Sequence, residues 1–320
     1  MCYSAQIVVE HRKFEREYGA TIDIRRYVEL FWEKRNDGGW LKIPKAMRGD
    51  WGMPRNDAER ELADLVVAAD AAQANALQSE LFAQRTRLVA AERSLASRTT
   101  KKATNDQRVA RDKIERAQRN LADLSRTHAL DRDARLFPGQ YAPVLIERDG
   151  VRTIVPMRYQ CRLPGWSAQT ERKYPGTYNA RRDKLGNAWS RLFGKQHGIL
   201  VINAFYENIG RAAMEHRQLA PDEGDENVVL EFRPVPPQDM LVACLWSYSA
   251  EPGQGVMYSF AAITDEPPPE IAAAGHDRCV VPIKRENLDA WLRPEAADVA
   301  RQQVILDDRE RPFYEHRQAA

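Results

Sequence analysis

The sequence predicts an α+β fold in which a single domain, built on a mainly antiparallel and barrel-like sheet, is interrupted by a helical hairpin. The region from about 135 to 320 is rich in proline, glycine and aromatic residues and contains short β-like runs. Residues from about 53 to 131 have a helical pattern almost throughout. Residues 1–52 share the mixed texture of the C-terminal region. We therefore expect 1–52 and 135–320 to form one discontinuous domain around an insertion at 53–134.

The individual elements follow from local patterns. A helix is predicted around Ile22–Lys34. The predicted strands are Gln6–Glu10, Pro143–Glu147, Ile199–Tyr206, Leu241–Trp246 and Val256–Ile263. Few regular strand–helix–strand units occur, which favours antiparallel pairing.

The insertion has a heptad-like period. Its apolar positions step by three and four residues: Ala74, Leu77, Leu81, Gln84, Leu88, Ala91 and Leu95, then Ala110, Ile114, Ala117, Leu121 and Leu124. The polar stretch Arg98–Gln107 separates the two sets, which predicts an antiparallel, coiled-coil-like hairpin. The hairpin either packs only on itself or docks a protein partner. The alanines and the glutamine at core positions bury little area, which favours the first interpretation.

Composition limits the class of protein. Hydrophobic residues make up 43% and charged residues 29% of the 320 residues, as in a globular protein with a core. The 48 Lys and Arg oppose 46 Asp and Glu, so the net charge is +2. This balance excludes a uniformly basic DNA-binding protein, and a DNA-binding surface would have to be a local patch.

The cysteine positions and the hydropathy of the chain indicate which cofactors and which cellular location to expect. The four cysteines, Cys2, Cys161, Cys244 and Cys279, form no CxxC pair. We therefore expect no metal site, no cofactor and a reducing compartment. Charged residues appear by Glu10, too early for the apolar core of a signal peptide, and no apolar run reaches the length of a membrane span. We expect a cytoplasmic protein with no membrane contact.

Cys2 is the first candidate for chemistry. Its small side chain permits removal of Met1, which would place an α-amine and a thiol on one residue. Such groups ordinarily have pKa values of about 8 and about 8.5, so both are partly reactive near neutral pH. The amine can form an imine with an aldehyde, and the thiol can then close a thiazolidine ring on the same carbon. The alternative is a chance cysteine in a flexible terminus.

Glu207 and His276 are candidates for proton transfer. Glu207 ends the apolar run Ile199–Tyr206, so we expect its carboxylate at a sheet edge, partly desolvated and suited to acid–base catalysis. His276 lies in a loop that enters the apolar run Cys279–Ile283 and could shuttle protons near pH 7. The alternatives are an ordinary exposed acid and a hydrogen-bonded loop histidine.

Asn179 and Arg181 follow a Pro-Gly turn at Pro175-Gly176. Asn179 could orient a substrate carbonyl or the terminal amine, and Arg181 could hold a phosphate. The alternative is turn chemistry, for which asparagine is also well suited.

Several short blocks in one order resemble the SOS response-associated peptidase (SRAP) family. They are Met1-Cys2, Phe137–Gly139, Arg158–Trp166, Tyr178–Arg181, Asn203–Glu207, Ala272–Pro282 and Asn287–Leu292. The resemblance covers most of the chain outside about 53–134. It implies a single mixed domain around a mainly antiparallel, barrel-like sheet. It also implies covalent crosslinking to abasic sites in single-stranded DNA, action at the nucleoid, and autoproteolytic removal of the residue before Cys2.

The resemblance also implies site roles. Cys2 would be the nucleophile, Asn179 would position its amine or the opened sugar, Glu207 would act as acid and base on the sugar, and His276 would assist ring opening or resolution of the crosslink. Arg181 and Arg278 would bind phosphates. Beyond the resemblance, we expect the DNA to lie on a basic strip, for which the candidates are Arg158, Arg162, Arg181, Arg182 and Arg278. Tyr159 and Trp166 would be available for base stacking, with core packing as the alternative.

Four features depart from the family pattern. Tyr3-Ser4 replaces Gly-Arg after the cysteine, Asn208 replaces a tryptophan after the glutamate, and Tyr159-Gln160 replaces a Trp-Gly pair. The fourth is the long helical insertion. These changes keep the chemistry and weaken the inferred grip on DNA.

Two other functions use the same residues differently. A cysteine peptidase would combine Cys2, His276 and Glu207 in a triad-like set. A non-enzymatic interaction module would work through the helical hairpin, and retention of Met1 would favour it.

Overall fold

The computed structural model describes residues 3–220, 222–250, 255–296 and 298–319, so Cys2 lies outside the described residues. The strands are β1 (Ser4–Ile7), β2 (Thr21–Ile22), β3 (Arg135–Leu136), β4 (Tyr141–Arg148), β5 (Val151–Tyr159), β6 (Asn179–Arg181), β7 (His197–Gly210), β8 (Asn227–Val235), β9 (Met240–Ala250), β10 (Val256–Asp265), β11 (Cys279–Val280) and β12 (Phe313–Gln318). The helices are α1 (His11–Tyr18), α2 (Ile24–Asn36), α3 (Lys45–Gly49), α4 (Asp57–Ser97), α5 (Lys101–Ser125), α6 (Ala168–Lys173), α7 (Arg211–Met214), α8 (Pro269–Ala273), α9 (Leu288–Leu292) and α10 (Val299–Asp307).

The chain divides into two compact units. The sheet unit comprises Met1–Tyr27, Lys42–Asp50 and Asp131–Ala320. The helical unit comprises Val28–Leu41 and Trp51–Leu130. The helical unit therefore includes a stretch that precedes the insertion expected at 53–134.

Five strands of the sheet unit close into a barrel. β4 pairs with β5 and β7, β9 pairs with β7 and β10, and β10 pairs with β5. Every one of these pairings is antiparallel except that between β5 and β10. The α+β class and the mainly antiparallel, barrel-like sheet predicted from the sequence are confirmed. Closure of a barrel removes unpaired strand edges.

β7 is the long strand that connects the barrel to the candidate site. Residues 197–202 pair with β9, whereas 205–210 pair with β8, and β1 pairs along 202–206. The pairing with β1 shifts register between Gln6 and Ile7, which leaves Asn203 as an extra residue on β7. Such a bulge bends a strand and redirects its side chains. The second half of β7 therefore leaves the barrel between β1 and β8.

The helical unit is centred on the antiparallel pair α4 and α5. Its buried seam consists of small side chains at seven-residue spacing in α5, namely Ala103, Ala110 and Ala117. On α4, Gln84 and Ala91 lie in the same seam at the same spacing.

The break between the two helices is shorter than the predicted polar stretch Arg98–Gln107. Only 98–100 are non-helical, because Thr100 caps α5 by accepting a hydrogen bond from the Ala103 N–H at 3.2 Å. The remaining residues of the stretch form the first turns of α5, in which Ala103 is buried and the other side chains are exposed or half-buried.

None of the described helices is both long and apolar enough to cross a membrane.

We predict that Ala110→Leu destabilises the protein by about 1–3 kcal/mol, because Ala110 is fully buried between α4 and α5 and a larger side chain overpacks that seam. Urea unfolding monitored by circular dichroism measures the change. Ala90→Leu, at an exposed position of α4, is the matched control and should leave the free energy of unfolding nearly unchanged. Equal effects of the two substitutions would contradict a tightly packed seam.

Candidate active site

Glu207 is a carboxyl group on the apolar face of a strand. Side chains alternate along a strand, so Glu207 shares its face with Phe205 and Ile209, both members of the hydrophobic core. The residue is 0% exposed. The expectation of a carboxylate at a strand end and sheet edge was wrong, because β7 continues to Gly210 and pairs with β8 at this position.

His276 contacts this buried carboxyl group. Its Nε2 lies 3.3 Å from Oε2 of Glu207. Burial raises the pKa of Glu207 to about 8, although the backbone N–H of Tyr3 acts in the opposite direction. Burial lowers the pKa of His276. Both shifts disfavour charge, so at neutral pH the pair is a protonated carboxyl beside a neutral imidazole rather than an ion pair.

The other ring nitrogen of His276 fixes the tautomer. Nδ1 lies 2.9 Å from the carbonyl oxygen of Arg278 and 3.3 Å from the backbone nitrogen of the same residue. We assign the hydrogen to Nδ1, which donates to the nearer carbonyl. Nε2 is then free of hydrogen and faces the Glu207 carboxyl. This arrangement allows a proton to pass between the two side chains.

A glycine sets the position of the His276 loop. Gly275 has φ +93° and packs against the backbone of α7, where an added Cβ would lie 2.9 Å from the carbonyl carbon of Ala213. The N–H of His276 donates to the carbonyl of Ile271 at 3.2 Å. Since α7 directly follows β7, the elements that hold Glu207 and His276 are packed together. The glycine next to the histidine is the one signal in the sequence for this constraint, and it was not predicted to be a functional residue.

The first described residue of the chain lies beside Glu207. The N–H of Tyr3 donates to the Tyr206 carbonyl at 3.3 Å, and Ser4 pairs with Tyr206 in the register of β1 and β7. The Tyr3 ring packs edge-on against Phe137 at 5.8 Å. The described chain therefore begins at the buried carboxyl group.

Asn179 is buried in β6, where it pairs with Ala262 of β10. Its Oδ1 accepts a hydrogen bond from the Tyr159 hydroxyl at 3.4 Å. At the end of the same strand, the exposed Arg181 forms two hydrogen bonds to Asp183, at 2.9 and 3.0 Å. The charge of Asp277 also acts on Arg181, so β6 ends near the His276 loop.

Two of the expected DNA contacts, Arg162 and Tyr159, are buried, and a third, Arg158, is half-buried. Arg162 is 6% exposed and its Nε donates to Glu171 at 3.0 Å, and Arg158 pairs with the same carboxylate. Tyr159 is 1% exposed and stacks on Phe260. The expectation that these three residues contact DNA was therefore wrong. The two arginines neutralise a buried carboxylate, and no base can stack on a ring that is covered by the core.

The other expected contacts lie nearer the surface. Trp166 is half-buried and packs on the exposed Tyr174 at 5.2 Å, an aromatic pair of which the sequence analysis named one member. Arg278 is half-buried, with its Nε 3.8 Å from Asp277. Arg182 is held by Asp265 and Asp307, at 3.1 and 2.6 Å, so it ties elements of the sheet unit together.

One further buried histidine and the three described cysteines have structural roles. His197 is buried, accepts from the Gly194 N–H at 2.8 Å and stacks on Trp291, and burial lowers its pKa to about 3. Cys161, Cys244 and Cys279 are buried free thiols, and burial raises the pKa of each. Over the described ranges, no group of three or more His, Cys, Asp or Glu side chains is arranged to hold a metal ion.

We predict that Glu207→Gln changes how stability depends on pH. The folded pKa of Glu207 lies above its unfolded value, so its contribution is fully present below about pH 4.5 and is lost as pH rises toward 8. The variant lacks this loss. Its stability relative to wild type should therefore increase between pH 5 and 8, by up to about 3 kcal/mol.

Urea unfolding of both proteins at pH 5, 6.5 and 8 measures the effect. The lowered pKa of His276 removes stability as pH falls below about 6.5, so the comparison between pH 6.5 and 8 is the one that isolates the effect of Glu207. Glu61→Gln, at an exposed position, is the control. Parallel pH profiles for wild type and Glu207→Gln would show that the carboxyl group is not buried in its neutral form.

Three solved structures are similar to the chain, each with a TM-score below 0.5. A Bordetella bronchiseptica protein is 19% identical, with 58% of this chain and 87% of that chain covered and a TM-score of 0.46. A Bacteroides thetaiotaomicron protein is 12% identical, with 58% and 78% covered and a TM-score of 0.45. A phage-related protein from Bordetella bronchiseptica is 16% identical, with 61% and 85% covered and a TM-score of 0.43. No curated protein matches the sequence.

The family comparison is decisive. The family described as "SOS response associated peptidase (SRAP)" matches residues 95–317, which is more than half of the chain and includes Glu207 and His276. The match starts within α4, so the N-terminal segment with Cys2 lies ahead of it. Membership supports a function of the SOS response-associated peptidase type and a role associated with DNA. The chain belongs to the SRAP family.

Proposed function

We propose that this protein captures abasic sites in single-stranded DNA by a covalent bond to Cys2 after removal of Met1. The observation that carries the proposal is the buried Glu207–His276 pair beside the backbone of Tyr3. This pair offers one acid and one base in a site shielded from water. The protein would act in the cytoplasm, wherever single-stranded DNA is exposed at the nucleoid.

Covalent geometry limits how far the nucleophile can be from this pair. Cys2 lies outside the described residues, but one peptide bond joins it to Tyr3, and consecutive Cα atoms are about 3.8 Å apart. Tyr3 is anchored to the Tyr206 carbonyl, one residue from Glu207. A residue tethered this closely reacts with a bound sugar as if both were in one molecule, which can lower the barrier by several kcal/mol.

The proposed reaction begins with the closed sugar of the abasic site. Protonated Glu207 donates to the ring oxygen as the C–O bond breaks, and the anomeric hydroxyl gives its proton to neutral His276, which leaves the aldehyde. The Cys2 amine then adds to the aldehyde carbon, and loss of water gives the imine. The thiol finally adds across the C=N bond and its proton moves to nitrogen, which closes the thiazolidine ring. General acid–base catalysis of this kind contributes roughly 10²–10⁴-fold.

His276 would return protons to Glu207. The carboxyl group must be protonated when the ring opens and must be restored afterwards. Neutral imidazole can accept the proton of the anomeric hydroxyl and transfer it through Nε2 to the carboxylate 3.3 Å away.

The surrounding residues supply binding. We propose that Asn179 positions the amine or the opened sugar and that Arg181 and Arg278 bind phosphates. Arg181 is the most accessible of these cations, although it must exchange its contacts with Asp183 for a phosphate. Trp166 with Tyr174 would stack on a base.

One observation favours capture over the peptidase alternative. A cysteine peptidase needs one histidine nitrogen directed at the thiol and the other at an orienting group. In His276 the carbonyl of Arg278 occupies Nδ1 and the Glu207 carboxyl occupies Nε2. Both nitrogens have partners among the described residues, so a thiolate–imidazolium pair would have to displace one of them. The same geometry suits an acid–base pair acting on a sugar.

We predict that the wild-type protein forms a band on a denaturing gel with a single-stranded oligonucleotide that contains one abasic site. Cys2→Ala should lose the band. An oligonucleotide with tetrahydrofuran in place of the sugar cannot form an aldehyde and should give no band with either protein. A band that persists in Cys2→Ala would overturn the proposal.

Two further measurements separate the alternatives. Intact mass should show loss of Met1, whereas its retention would favour the interaction module. Cys2→Ser keeps the amine but not the thiol, so it should give a band only when borohydride reduces the imine. Cleavage of an unfolded protein substrate without DNA, together with no band, would favour the peptidase.

We also predict that Glu207→Gln and His276→Gln slow capture by on the order of 10²-fold, because each removes a proton-transfer group. Single-turnover rates between pH 5 and 9 measure the effect. The wild-type rate should fall as Glu207 ionises near pH 8, and the Glu207→Gln rate should lack that fall. Glu61→Gln serves as control. An unchanged rate would exclude the altered residue from the mechanism.

A further inference from the structure

The charge of the chain is concentrated in one part of the helical unit. Residues 85–119, called here the distal hairpin segment, contain eleven Lys and Arg against four Asp and Glu, a net charge of +7. The whole chain has a net charge of +2, so all other residues together carry −5. The segment covers the end of α4, the turn and most of α5.

The acids of this segment are already neutralised. Each forms an ion pair with an arginine of the same segment: Asp106 with Arg87, Glu92 with Arg111, Asp112 with Arg108 and Glu115 with Arg119. Six other cations are exposed and form no ion pair within the described residues 85–119. They are Arg85, Arg93, Arg98, Lys101, Lys102 and Arg116. The excess charge therefore faces solvent.

Donor groups converge at the turn. A shallow cleft of about 440 Å³ is lined by Thr99, Lys101, Thr104, Asn105 and Arg108. Hydroxyl, amide, ammonium and guanidinium groups together match the oxygens of a phosphate. In the described segment, Val89 is the one large hydrophobic side chain that is exposed. Residues 85–119 thus present no exposed aromatic anchor of the kind that protein interfaces and membrane-inserting helices use, although the exposed Phe82 lies one turn before the segment.

We infer that the distal hairpin segment binds the phosphate backbone of nucleic acid without reading its sequence. Clustered cations on one element are typical of such binding. The acidic balance of the other residues offsets this cluster, so the net charge of the whole chain does not reveal it. The inference deepens the proposed function, on which it rests for DNA as the partner. The alanine seam leaves the long cationic side chains outside the helix pair.

The test measures noncovalent binding of the full-length Cys2→Ala protein to an undamaged, fluorescent single-stranded oligonucleotide at several salt concentrations. The variant changes all six exposed cations to glutamine, a good helix former. For single strands, the slope of log K against log salt changes by about 0.7 for each phosphate contact. We expect the slope to fall by about 1.4 or more and affinity near 0.1 M salt to fall on the order of ten-fold.

Three controls make the result specific. Exchange of arginine and lysine at the six positions keeps the charge and should keep binding. Glutamine at Lys195, Arg301 and Arg35, exposed cations outside the segment, should change binding little. Helical circular dichroism and the melting temperature should match wild type in every variant.

Slopes and affinities equal to those of the Lys195, Arg301 and Arg35 variant would overturn the inference. Charge-dependent binding to phosphatidylserine vesicles without binding to the oligonucleotide would also overturn it. If wild type fails to crosslink abasic DNA but the six-residue variant loses oligonucleotide affinity, covalent capture fails and the hairpin contact stands. Normal crosslinking with unchanged oligonucleotide affinity overturns the hairpin contact alone.

Discussion

A carboxyl group on an apolar strand face imposes the central constraint on this fold. Glu207 lies between core side chains of β7, where an ionised carboxylate would be costly, so the site must either protonate it or supply a partner. His276 supplies this partner from a loop, and Gly275 allows that loop to approach α7. One proton-sharing pair is thus enclosed by three features: the bulge in β7, the pairing of β7 with β1, and the His276 loop.

The sequence predicted much of the fold because its patterns are local. Apolar runs located the strands that became β4, β7, β9 and β10, and heptad spacing located the two long helices. Closure of the barrel could not be predicted in this way. It depends on parallel pairing of β5 with β10, which joins Arg158 to Ser259 across about a hundred residues, and no local period encodes that register.

The site shows the same limit at the level of single residues. Sequence blocks identified Glu207 and His276, but their contact depends on a loop that returns to β7 from almost seventy residues away. Arginines in a motif look alike whether they face solvent or a buried acid. Arg162 was expected on the DNA surface because no sequence pattern indicates that Glu171 on α6 is its partner. Burial, and not residue type, separates a structural cation from an accessible one.

Burial of the other thiols simplifies chemical labelling of this protein. A thiol reacts with alkylating reagents as its thiolate, and access of the reagent matters equally. Cys161, Cys244 and Cys279 are enclosed by the core, where burial raises the pKa of each, so all three should react slowly in the native state. Modification by iodoacetamide under native conditions therefore measures the reactivity of Cys2 with little contribution from the other three cysteines, which need not be replaced.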